Sequence, residues 1–426
     1  MNVSQTRPVV IVGGLRIPFC RSNTTYADLS NYAMLTAVLN GMVDKYNLQG
    51  EIIDEVTAGA VMTHSKDWNL AREIVLGTEL SPATPAITMQ QACGTSLQGT
   101  MVSAAKIATG QIDCAIAAGS DTTSDVPIVF GKKFAKRLIN LGKARSVGDK
   151  LKVFKGFSPK ELAPSPPGVA EPRTLLSMGQ HCELMAQEWD ITREAQDQLA
   201  MESHLKAAAA YDEGFFDDLL VSCAGVTRDN NMRPDTSMEA LSGLRNAYEK
   251  SDKGTLSAGN STPLTDGAAG VLLCSEEWAR ERGLPILAYM THSSTAAVDF
   301  VAGDGLLMGP TLAVANMLKA ANMSLQDFDI YEIHEAFAAQ VLCTLKAWES
   351  DEYCRNHLGL DAAMGSIDRS KMNLKGSSLA VGHPFAATGA RIVGTLAKIL
   401  DDRGSGKGLI SVCTAGGIGV CAIMER

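Results

Sequence analysis

The chain has 426 residues, of which 46% are apolar and 20% are charged, and its formal net charge is −9. These proportions are ordinary for a globular protein, and the length predicts two or three domains. The negative charge argues against general binding of nucleic acids. No run of about 18 apolar residues occurs, so a membrane-spanning segment is not expected.

The ends of the chain and its cysteines indicate a cellular compartment. MNVSQTRPVVIVGG enters a strand pattern without the apolar core of a signal peptide or the composition of a transit peptide. The C-terminal CAIMER carries no retention or peroxisomal signal. The ten cysteines are scattered and form no CxxC spacing, which favours reduced thiols over a disulfide framework. We therefore expect a cytoplasmic protein.

The first third of the chain alternates apolar runs of strand length with longer helical patterns. VVIVGGLR predicts a strand, LSNYAMLTAVLNGMVDKYN a helix and EVTAGAVM a second strand. SLQGTMVSAAKIATGQ then predicts a helix rich in small residues, and DCAIAAGSD predicts a buried strand. This alternation is typical of an α/β fold with a largely parallel core.

The middle of the chain, 126–252, has a different composition, and we interpret it as an inserted domain. Its basic segment, defined as residues 131–160, contains ten Lys or Arg and a single acidic residue, Asp149. Apolar residues are interleaved with these cations. A Pro-rich loop follows, and then an amphipathic helix for which Thr192 is a candidate cap.

The last third of the chain repeats the order of the first third. PTLAVANMLKAANMSLQDFDIYEIHEA predicts a helix, a strand and a turn. ATGARIVGTLAKILDDR predicts another helix of small residues, and KGLISVCTAGG another buried strand that ends in glycines. The repeat indicates two copies of one α/β unit packed together. The predicted domains are an N-terminal half at 1–125 plus 253–281, the inserted domain at 126–252, and a C-terminal half at 282–426.

Cys93 stands where an apolar segment turns into a predicted helix. The N-terminus of a helix offers free N–H groups and a partial positive charge, which lower the pKa of a thiol and stabilise the thiolate. Gly94 allows close approach to the sulfur. A nucleophile and a buried structural cysteine explain this position equally well.

His383 and Cys413 lie in similar surroundings. Pro384 follows the histidine and fixes the backbone at the mouth of the next predicted helix. This position suits a general base or an oxyanion donor, although a capping or core histidine is the commoner use. Cys413 ends a buried strand before a Gly-rich turn, whose N–H groups can line an oxyanion hole. Taken alone, it is a small apolar core residue.

The stretch EIHEAFAAQ shares its His–Glu pair with the HExxH zinc motif. Ala338 stands where that motif has its second histidine, and no further ligand lies nearby in sequence, so we predict no metal site at His334. Together, Cys93, His334, His383 and Cys413 fall at equivalent edges of the two repeats. Such strand ends are where open α/β sheets bind ligands. Two cysteines and two histidines that converge there suit acyl transfer through a thioester.

QACGTS, HEAFAAQ, GHPFAATGAR and CTAGGIG, in this order, resemble the motifs of the thiolase family, and AGNSTPLTDGAAG at 258–270 is a further match. The resemblance covers essentially the whole chain. Within the family it points to the 3-ketoacyl-CoA thiolases of fatty-acid β-oxidation, in particular the β-subunits of trifunctional complexes. It implies a five-layered αβαβα fold, built from two similar βαβ-repeat halves with an inserted loop domain. The implied reaction is cleavage of 3-ketoacyl-CoA by CoA to acetyl-CoA and a shortened acyl-CoA.

The resemblance also implies a role for each motif residue. Cys93 matches the nucleophile that is acylated, and His383 matches the histidine that activates it and helps to stabilise the thioester oxyanion. Cys413 matches the acid and base that acts on the acetyl-CoA enolate. His334 stands where many thiolases have an asparagine that holds a water in one oxyanion hole. The main-chain N–H groups of Cys93 and Ala415 match the second oxyanion hole.

Coenzyme A is expected as a co-substrate, with no permanently bound cofactor. The residues that match positions of the CoA pocket are Met178, Arg233, Thr262, Ala336 and Phe337. The family also implies a homodimer or a dimer of dimers. A hydratase/dehydrogenase α-subunit is a candidate partner.

The basic segment has three interpretations. It is a solvated helical face, a surface that draws CoA phosphates toward the cleft, or a contact with an anionic membrane or a partner subunit. The last interpretation places a cytoplasmic protein at the periphery of a membrane.

Three alternatives to the implied reaction stay open at this point. The first two are a biosynthetic acetoacetyl-CoA thiolase and a condensing enzyme similar to the β-ketoacyl synthases. The third is a non-catalytic acyl- or lipid-binding protein on the same fold. Synthases pair their cysteine with two histidines or with His and Asn, so Cys413 favours a thiolase. Retention of Cys93, His383 and Cys413 together argues against the non-catalytic alternative.

Overall fold

A computed structural model describes residues 6–426 of the chain. The first five residues lie outside the described residues. They begin the predicted N-terminal half and the stretch for which no targeting signal is expected. Among the described helices, none combines the length and the apolar character needed to cross a membrane.

Helices and strands alternate along most of the described chain. The helices are α1 Asn31–Tyr46, α2 Leu70–Leu76, α3 Thr95–Ala108, α4 Lys132–Lys143, α5 Val147–Val153, α6 Met178–Glu188, α7 Arg193–Asp212, α8 Met238–Ser242, α9 Glu276–Glu281, α10 Gly309–Ala321, α11 Ala338–Trp348, α12 Asp351–Leu358, α13 Ser378–Val381 and α14 Thr388–Arg403. The strands are β1 Val9–Arg16, β2 Cys20–Arg21, β3 Glu55–Gly59, β4 Ala86–Thr88, β5 Cys114–Asp121, β6 Val129–Phe130, β7 Pro164–Ser165, β8 Thr265–Ser275, β9 Ala288–Ala297, β10 Ile330–Ile333, β11 Lys407–Thr414 and β12 Ile418–Glu425.

One long sheet runs through both halves in the order β10-β11-β12-β9-β1-β8-β5-β3-β4, and β2 pairs with β8 at its side. Helices α1 and α2 cover the outer face of the first half, and α10 covers the outer face of the second. Helices α3 and α14 pack against each other between the two halves of the sheet. This arrangement gives five layers, and the predicted fold class is confirmed.

The sheet is mixed, and the expectation of a largely parallel core is wrong. Only β3–β4, β3–β5 and β10–β11 pair in parallel among the described strands of this sheet. Parallel neighbours need a long crossover, whereas a tight turn returns the chain antiparallel. The turn at Ala415–Gly417 is of the second kind, because Gly416 and Gly417 have φ of 78° and 76° and join β11 to β12 as a hairpin.

Two parallel strand pairs with a central helix correspond between the halves, β3–α3–β5 in the first and β10–α14–β11 in the second, and the first half also contains the parallel unit β3–α2–β4. The central helices of the two corresponding units approach each other closely. A Cβ added at Gly389 on α14 would collide with the main-chain nitrogen and the Cβ of Leu97 on α3. The absence of a side chain at Gly389 therefore brings the N-termini of α3 and α14 together.

The middle region adds helices α4 to α8 and the short β6–β7 pair. Thr192 caps α7, as predicted, since its hydroxyl accepts from the Ala195 N–H at 3.1 Å. The basic segment forms α4 and α5, and it leaves Ile139 60% and Leu151 71% exposed. Arg137 is turned inward, where its guanidinium donates to Glu161 at 2.7 Å.

Candidate active site

Cys93 lies in a constrained turn between β4 and α3. The preceding residue, Ala92, has a φ of 46°, and such a left-handed conformation costs a non-glycine residue roughly 1–3 kcal/mol. The Thr95 hydroxyl holds the turn, because it donates to the Ala92 carbonyl at 2.7 Å and accepts from the Gln91 N–H at 2.9 Å. The turn presents a half-buried thiol at the N-terminus of α3.

His383 faces this thiol from the second half. Its Nε2 lies 3.1 Å from Cys93 Sγ, and its Nδ1 lies 2.5 Å from the hydroxyl of Thr388, the first residue of α14. A neutral imidazole carries one ring proton. Because the thiol donates toward Nε2, that proton is on Nδ1 and is donated to Thr388. This tautomer leaves the Nε2 lone pair ready to take the proton of Cys93.

The loop that carries His383 is tied to the first half by Asp121. This buried side chain at the end of β5 accepts the N–H of Ala386 at 2.8 Å. It also accepts the N–H groups of Val61 and Met62 at 2.9 Å and 2.7 Å. One carboxylate thus joins the two loops that follow β3 and precede α14, and it fixes the distance between the two halves at the site.

Burial keeps the pair of Cys93 and His383 neutral in the free protein. Desolvation raises the pKa of Cys93 to about 12 and lowers the pKa of His383 to about 3. The N–H groups of Ala415 and of Cys93 itself favour the thiolate, but they do not outweigh burial. The expectation that the helix N-terminus lowers this thiol's pKa is therefore wrong for the free protein, because apolar residues of both halves surround the thiol.

His334 follows β10 and lies against His383, with 4.2 Å between the ring centroids. Its Nδ1 is 2.9 Å from the Ser378 hydroxyl, which also receives a 2.8 Å hydrogen bond from the Arg391 guanidinium. Because arginine only donates, the Ser378 oxygen accepts that bond and its own proton is available to Nδ1 of the histidine. The remaining ring proton is then on Nε2, an atom with no hydrogen-bond partner among the described residues.

Burial supports this neutral form of His334. Desolvation lowers its pKa well below the ordinary value, and the neighbouring His383 and Arg391 lower it further. The imidazole therefore offers one N–H donor to the site and carries no positive charge. The adjacent Glu335 does not share this site, because its carboxylate accepts from Ser203 and Asn373, each at 2.7 Å.

Cys413 and Ala415 come from the end of β11 and the turn after it. The thiol of Cys413 is buried, and burial together with the nearby Cys93 raises its pKa well above the ordinary value. The Ala415 N–H faces the Cys93 sulfur. Glu171, from the middle region, steadies this turn by accepting the Gly416 N–H at 2.9 Å. A second thiol and a main-chain donor thus stand beside the first thiol.

The predicted CoA residues are only partly brought together. The Thr262 N–H donates to the Ala336 carbonyl at 3.1 Å, and its hydroxyl donates to the Ser378 carbonyl at 3.0 Å. Phe337 is buried next to Ala336. Met178 opens α6 and packs against the apolar cluster that contains Phe337.

Arg233 makes its hydrogen bonds outside this group of predicted CoA residues. Its side chain is exposed, and its main-chain N–H donates to Nδ1 of His204 on α7 at 3.2 Å. None of its described hydrogen bonds involves Thr262, Ala336 or Phe337.

Several residues of the site were missed by sequence reasoning. Thr388 and Arg391 lie inside GHPFAATGAR, five and eight positions after the histidine, so the motif itself contained their signal. Asp121 is a carboxylate at the end of the mostly apolar run CAIAAGSD, and an acidic residue at the end of such a run is also a signal that the sequence contains. Ser378 and Glu171 have no comparable pattern around them, because their partners come from distant parts of the chain.

The chain is similar to known proteins along nearly all of its length. The family model described as "Thiolase, N-terminal domain" matches residues 9–277, and "Thiolase, C-terminal domain" matches residues 284–426. A 3-ketoacyl-CoA thiolase of Alteromonas mediterranea is 41% identical, and the alignment covers 98% of this chain and 96% of the relative. A 3-ketoacyl-CoA thiolase of Shewanella woodyi is 42% identical over the same shares.

Solved structures of similar proteins also superpose on nearly the whole chain. The Bacillus anthracis acetyl-CoA acetyltransferase superposes with a TM-score of 0.81 at 30% identity, and the match covers 99% of this chain and all (100%) of that one. Human mitochondrial 3-ketoacyl-CoA thiolase in complex with CoA superposes with a TM-score of 0.80 at 26% identity and 100% coverage of both chains.

Proposed function

Because the chain belongs to the thiolase family, we propose that it is an acyltransferase that cleaves 3-ketoacyl-CoA with CoA to acetyl-CoA and a shortened acyl-CoA. The observation that carries this proposal is the 3.1 Å approach of His383 Nε2 to Cys93 Sγ, with the Cys413 thiol beside them. A nucleophile with its own base and a second proton carrier is what two successive acyl transfers require.

In the first half-reaction, the Cys93 sulfur attacks the 3-keto carbonyl while its proton passes to Nε2 of His383. The new C–S bond forms, the bond between C2 and C3 breaks, and its electron pair leaves on acetyl-CoA as the enolate. The Cys413 S–H protonates this enolate. A thiol with a pKa well above neutral holds that proton until the strongly basic carbanion appears.

In the second half-reaction, free CoA attacks the acyl-Cys93 thioester. The Cys413 thiolate takes the proton of the incoming CoA thiol. The tetrahedral intermediate then collapses, and Cys93 leaves and regains its proton from His383. Each residue returns to its starting form, and ping-pong kinetics follow from the covalent intermediate.

Two oxyanion sites accompany these steps in the proposal. The N–H groups of Cys93 and Ala415 stabilise the tetrahedral intermediate at the acylated cysteine. The Nε2–H of His334, through a water that it holds, stabilises the oxygen of the acetyl-CoA enolate together with His383. Donors that are fixed in place before charge develops are the most effective kind. The neutral, Nε2-protonated form of His334 meets this requirement.

Coenzyme A is proposed as a co-substrate, held beside Thr262, Ala336 and Phe337, with Met178 and Arg233 at the outer part of the pocket. The reaction needs no permanently bound cofactor. The structure of the human relative with CoA supports the nature of this co-substrate.

The decisive test is a rate profile over 3-ketoacyl-CoA substrates of increasing chain length. We expect CoA-dependent release of acetyl-CoA from a long substrate such as 3-ketohexadecanoyl-CoA. A biosynthetic acetoacetyl-CoA thiolase is the second candidate, favoured by the similarity to the acetyl-CoA acetyltransferase of Bacillus anthracis. Activity confined to acetoacetyl-CoA would select this second candidate, and no acetyl-CoA from either substrate would contradict both.

The assembly and location are proposed as a cytoplasmic homodimer or dimer of dimers, peripheral at an anionic membrane and paired with a hydratase/dehydrogenase α-subunit. The support is the basic segment, whose cations surround apolar side chains that point outward. Residues Ile139 and Leu151 are 60% and 71% exposed. Exposed apolar groups within a cationic helical surface suit the interface of an anionic bilayer.

This proposal is tested by changing Lys132, Lys133 and Lys136 together to Gln. Arg137 is left unchanged, because it holds Glu161 within the segment. Each lysine near an anionic surface contributes about 1 kcal/mol, so sedimentation with phosphatidylserine vesicles should weaken by roughly 100-fold. The matched control changes the exposed Lys250, Lys253 and Lys319 elsewhere. Equal sedimentation of both variants would contradict the membrane proposal, and a parallel pull-down with the α-subunit tests the partner.

A further inference from the structure

Three side chains of the site form a cluster whose members are all good ligands for soft metal ions. One ligand atom from each of Cys93, His334 and His383 lies within 4.8 Å of the other two. The residues come from three separate loops, up to 290 positions apart, so sequence proximity could not reveal them. The earlier prediction of no metal site considered only ligands near His334 in sequence.

The separations are close to those of a zinc site. Zinc binds a thiolate at about 2.3 Å and an imidazole nitrogen at about 2.0–2.1 Å, which places tetrahedral ligand atoms roughly 3.3–3.6 Å apart. The Cys93 Sγ to His383 Nε2 distance is 3.1 Å, within half an ångström of this range. The ligand atom of His334 lies within 4.8 Å of the other two, so a movement of at most about 1.5 Å would bring it into this range.

The surroundings of both histidines are those of metal-binding imidazoles. Thr388 contacts Nδ1 of His383 at 2.5 Å, and Ser378 contacts Nδ1 of His334 at 2.9 Å. Such outer partners fix the ring and direct the other nitrogen at the ion. For His334 to bind, its proton must move to Nδ1. The Ser378 oxygen can accept that proton's hydrogen bond beside the one from Arg391, because a hydroxyl has two lone pairs.

We propose that Cys93, His334 and His383 bind a zinc ion, with the thiol proton released to solvent, and that the bound ion reversibly blocks the enzyme. The ion would take the sulfur electron pair that attacks the substrate and the Nε2 lone pair that accepts the thiol proton. The open fourth position would hold a water. Catalysis is metal-free in this scheme, so chelators leave the resting activity intact and restore the zinc-inhibited activity. The inhibition rests on the proposed function, whereas the binding does not.

The binding test uses the full chain and metal ion alone. Titration with Zn²⁺ should give one ion per chain and release of a proton, and Co²⁺ should give the ultraviolet charge-transfer band of a thiolate ligand. Alkylation of Cys93 with iodoacetamide should abolish both signals. In the His334→Asn variant, zinc affinity should fall by more than about 100-fold, since the loss of a ligand exceeds the 10–100-fold typical of an outer partner. The matched control His292→Asn, on β9, should bind as the unaltered protein does.

Binding that is unchanged in the His334→Asn variant, or a Co²⁺ complex without the thiolate band, would overturn the proposal. So would full thiolytic activity with one zinc bound per chain. Circular dichroism of each variant separates loss of a ligand from loss of the fold. If the chain had no thiolase activity at all, the thiolate band would still decide the metal site, so failure of the site and failure of the proposed function can be told apart.

Discussion

The βαβ units β3–α3–β5 and β10–α14–β11 have the same order and the same parallel pairing, but they contribute unequally to the site. Glu55 pairs with Ala115 in the first unit, and Ile330 pairs with Gly408 in the second. Aligning these pairs places Gly59 at the position of His334. The second unit thus carries an imidazole where the first carries no side chain.

A similar contrast holds at the other strand. The same alignment places Ser120 of β5 at the position of Cys413 of β11. The Ser120 hydroxyl donates to Asn31 at 3.0 Å and is buried away from the cysteines. The starts of α3 and α14 carry Cys93 and His383, which face each other. The repeated fold therefore provides equivalent positions, and the chemistry is divided as one nucleophile from the first unit and three partners from the second.

The largest expected effect comes from the one reactive side chain of the first unit. The Cys93→Ala variant should lose on the order of 10⁴–10⁶ in kcat, as nucleophile removal does in other covalent enzymes. Peptide mass spectrometry should find no acyl adduct at this position after incubation with substrate. The buried Cys182 serves as a matched control, since Cys182→Ala should still form the adduct. An adduct in the Cys93→Ala variant would refute the assignment of the nucleophile.

The second unit's thiol should affect proton transfer in both half-reactions. The Cys413→Ser variant should lose roughly 10²–10⁴ in turnover, because proton transfer to the enolate is impaired. Alkylation of Cys93 by iodoacetamide should continue, as followed by mass spectrometry, because Cys413 takes no part in the attack by the Cys93 sulfur. Introducing Ser120→Cys into this variant should restore nothing, because position 120 faces Asn31. Restored activity would show that the two strand positions are interchangeable, contrary to the contrast drawn above.

Removal of the second unit's imidazole should slow turnover without abolishing acylation. The His334→Ala variant makes that strand end similar to the first unit, and loss of one oxyanion donor costs roughly 10²–10³ in kcat. The acylated fraction of Cys93 after mixing with a simple acyl-CoA, which forms no enolate, should change little, whereas steady-state release of acetyl-CoA from 3-ketoacyl-CoA should fall. Equal losses in both measurements would mean that His334 acts on the nucleophile instead. Chelators should leave the unaltered enzyme fully active.

The smallest expected effect concerns the protonation of Cys93 and His383, the pair of side chains that joins the two units. Burial raises the pKa of the Cys93 thiol to about 12, so the thiolate fraction is small at neutral pH. As long as the pH is below this pKa, each increase of one pH unit raises the thiolate fraction tenfold. The rate of iodoacetamide alkylation should therefore rise by about 100-fold between pH 7 and pH 9 without a plateau. Acyl-CoA should protect the thiol. A plateau that begins below pH 7 would mean a preformed thiolate–imidazolium pair.

The sequence predicted the features that depend on neighbouring residues. VVIVGGLR is β1, Val9–Arg16, and the Thr192 cap is present. The thiolase family, the five-layered fold and the acyltransferase function are confirmed by the relatives and the solved structures. These predictions were possible because each motif is a contiguous stretch of sequence and the motifs follow one another in the order typical of the family. The division at 126 and 253 and the roles of the site residues stay predictions.

Features set by contacts between distant segments could not be predicted. The direction of β8 and β12 depends on which strands they meet, and the periodicity of a strand does not contain that information. The raised pKa of Cys93 could not be predicted, because residues of the other half complete the burial of the thiol. The role of Ser378 could not be predicted either, because it depends on the hydrogen bonds of its hydroxyl with Arg391 and His334, which fix the tautomer of His334. In each case the missing quantity is a long-range contact.

The contact between Gly389 and Leu97 also constrains how such a protein can change over generations. A methyl group at position 389 would push α14 away from α3, and the sulfur and the imidazole at their N-termini would separate. Neither copy of the repeat can therefore drift on its own, because each must keep the other's helix within backbone contact. In this respect the two similar units form one packed interface, and a change in either helix must be accommodated by the other.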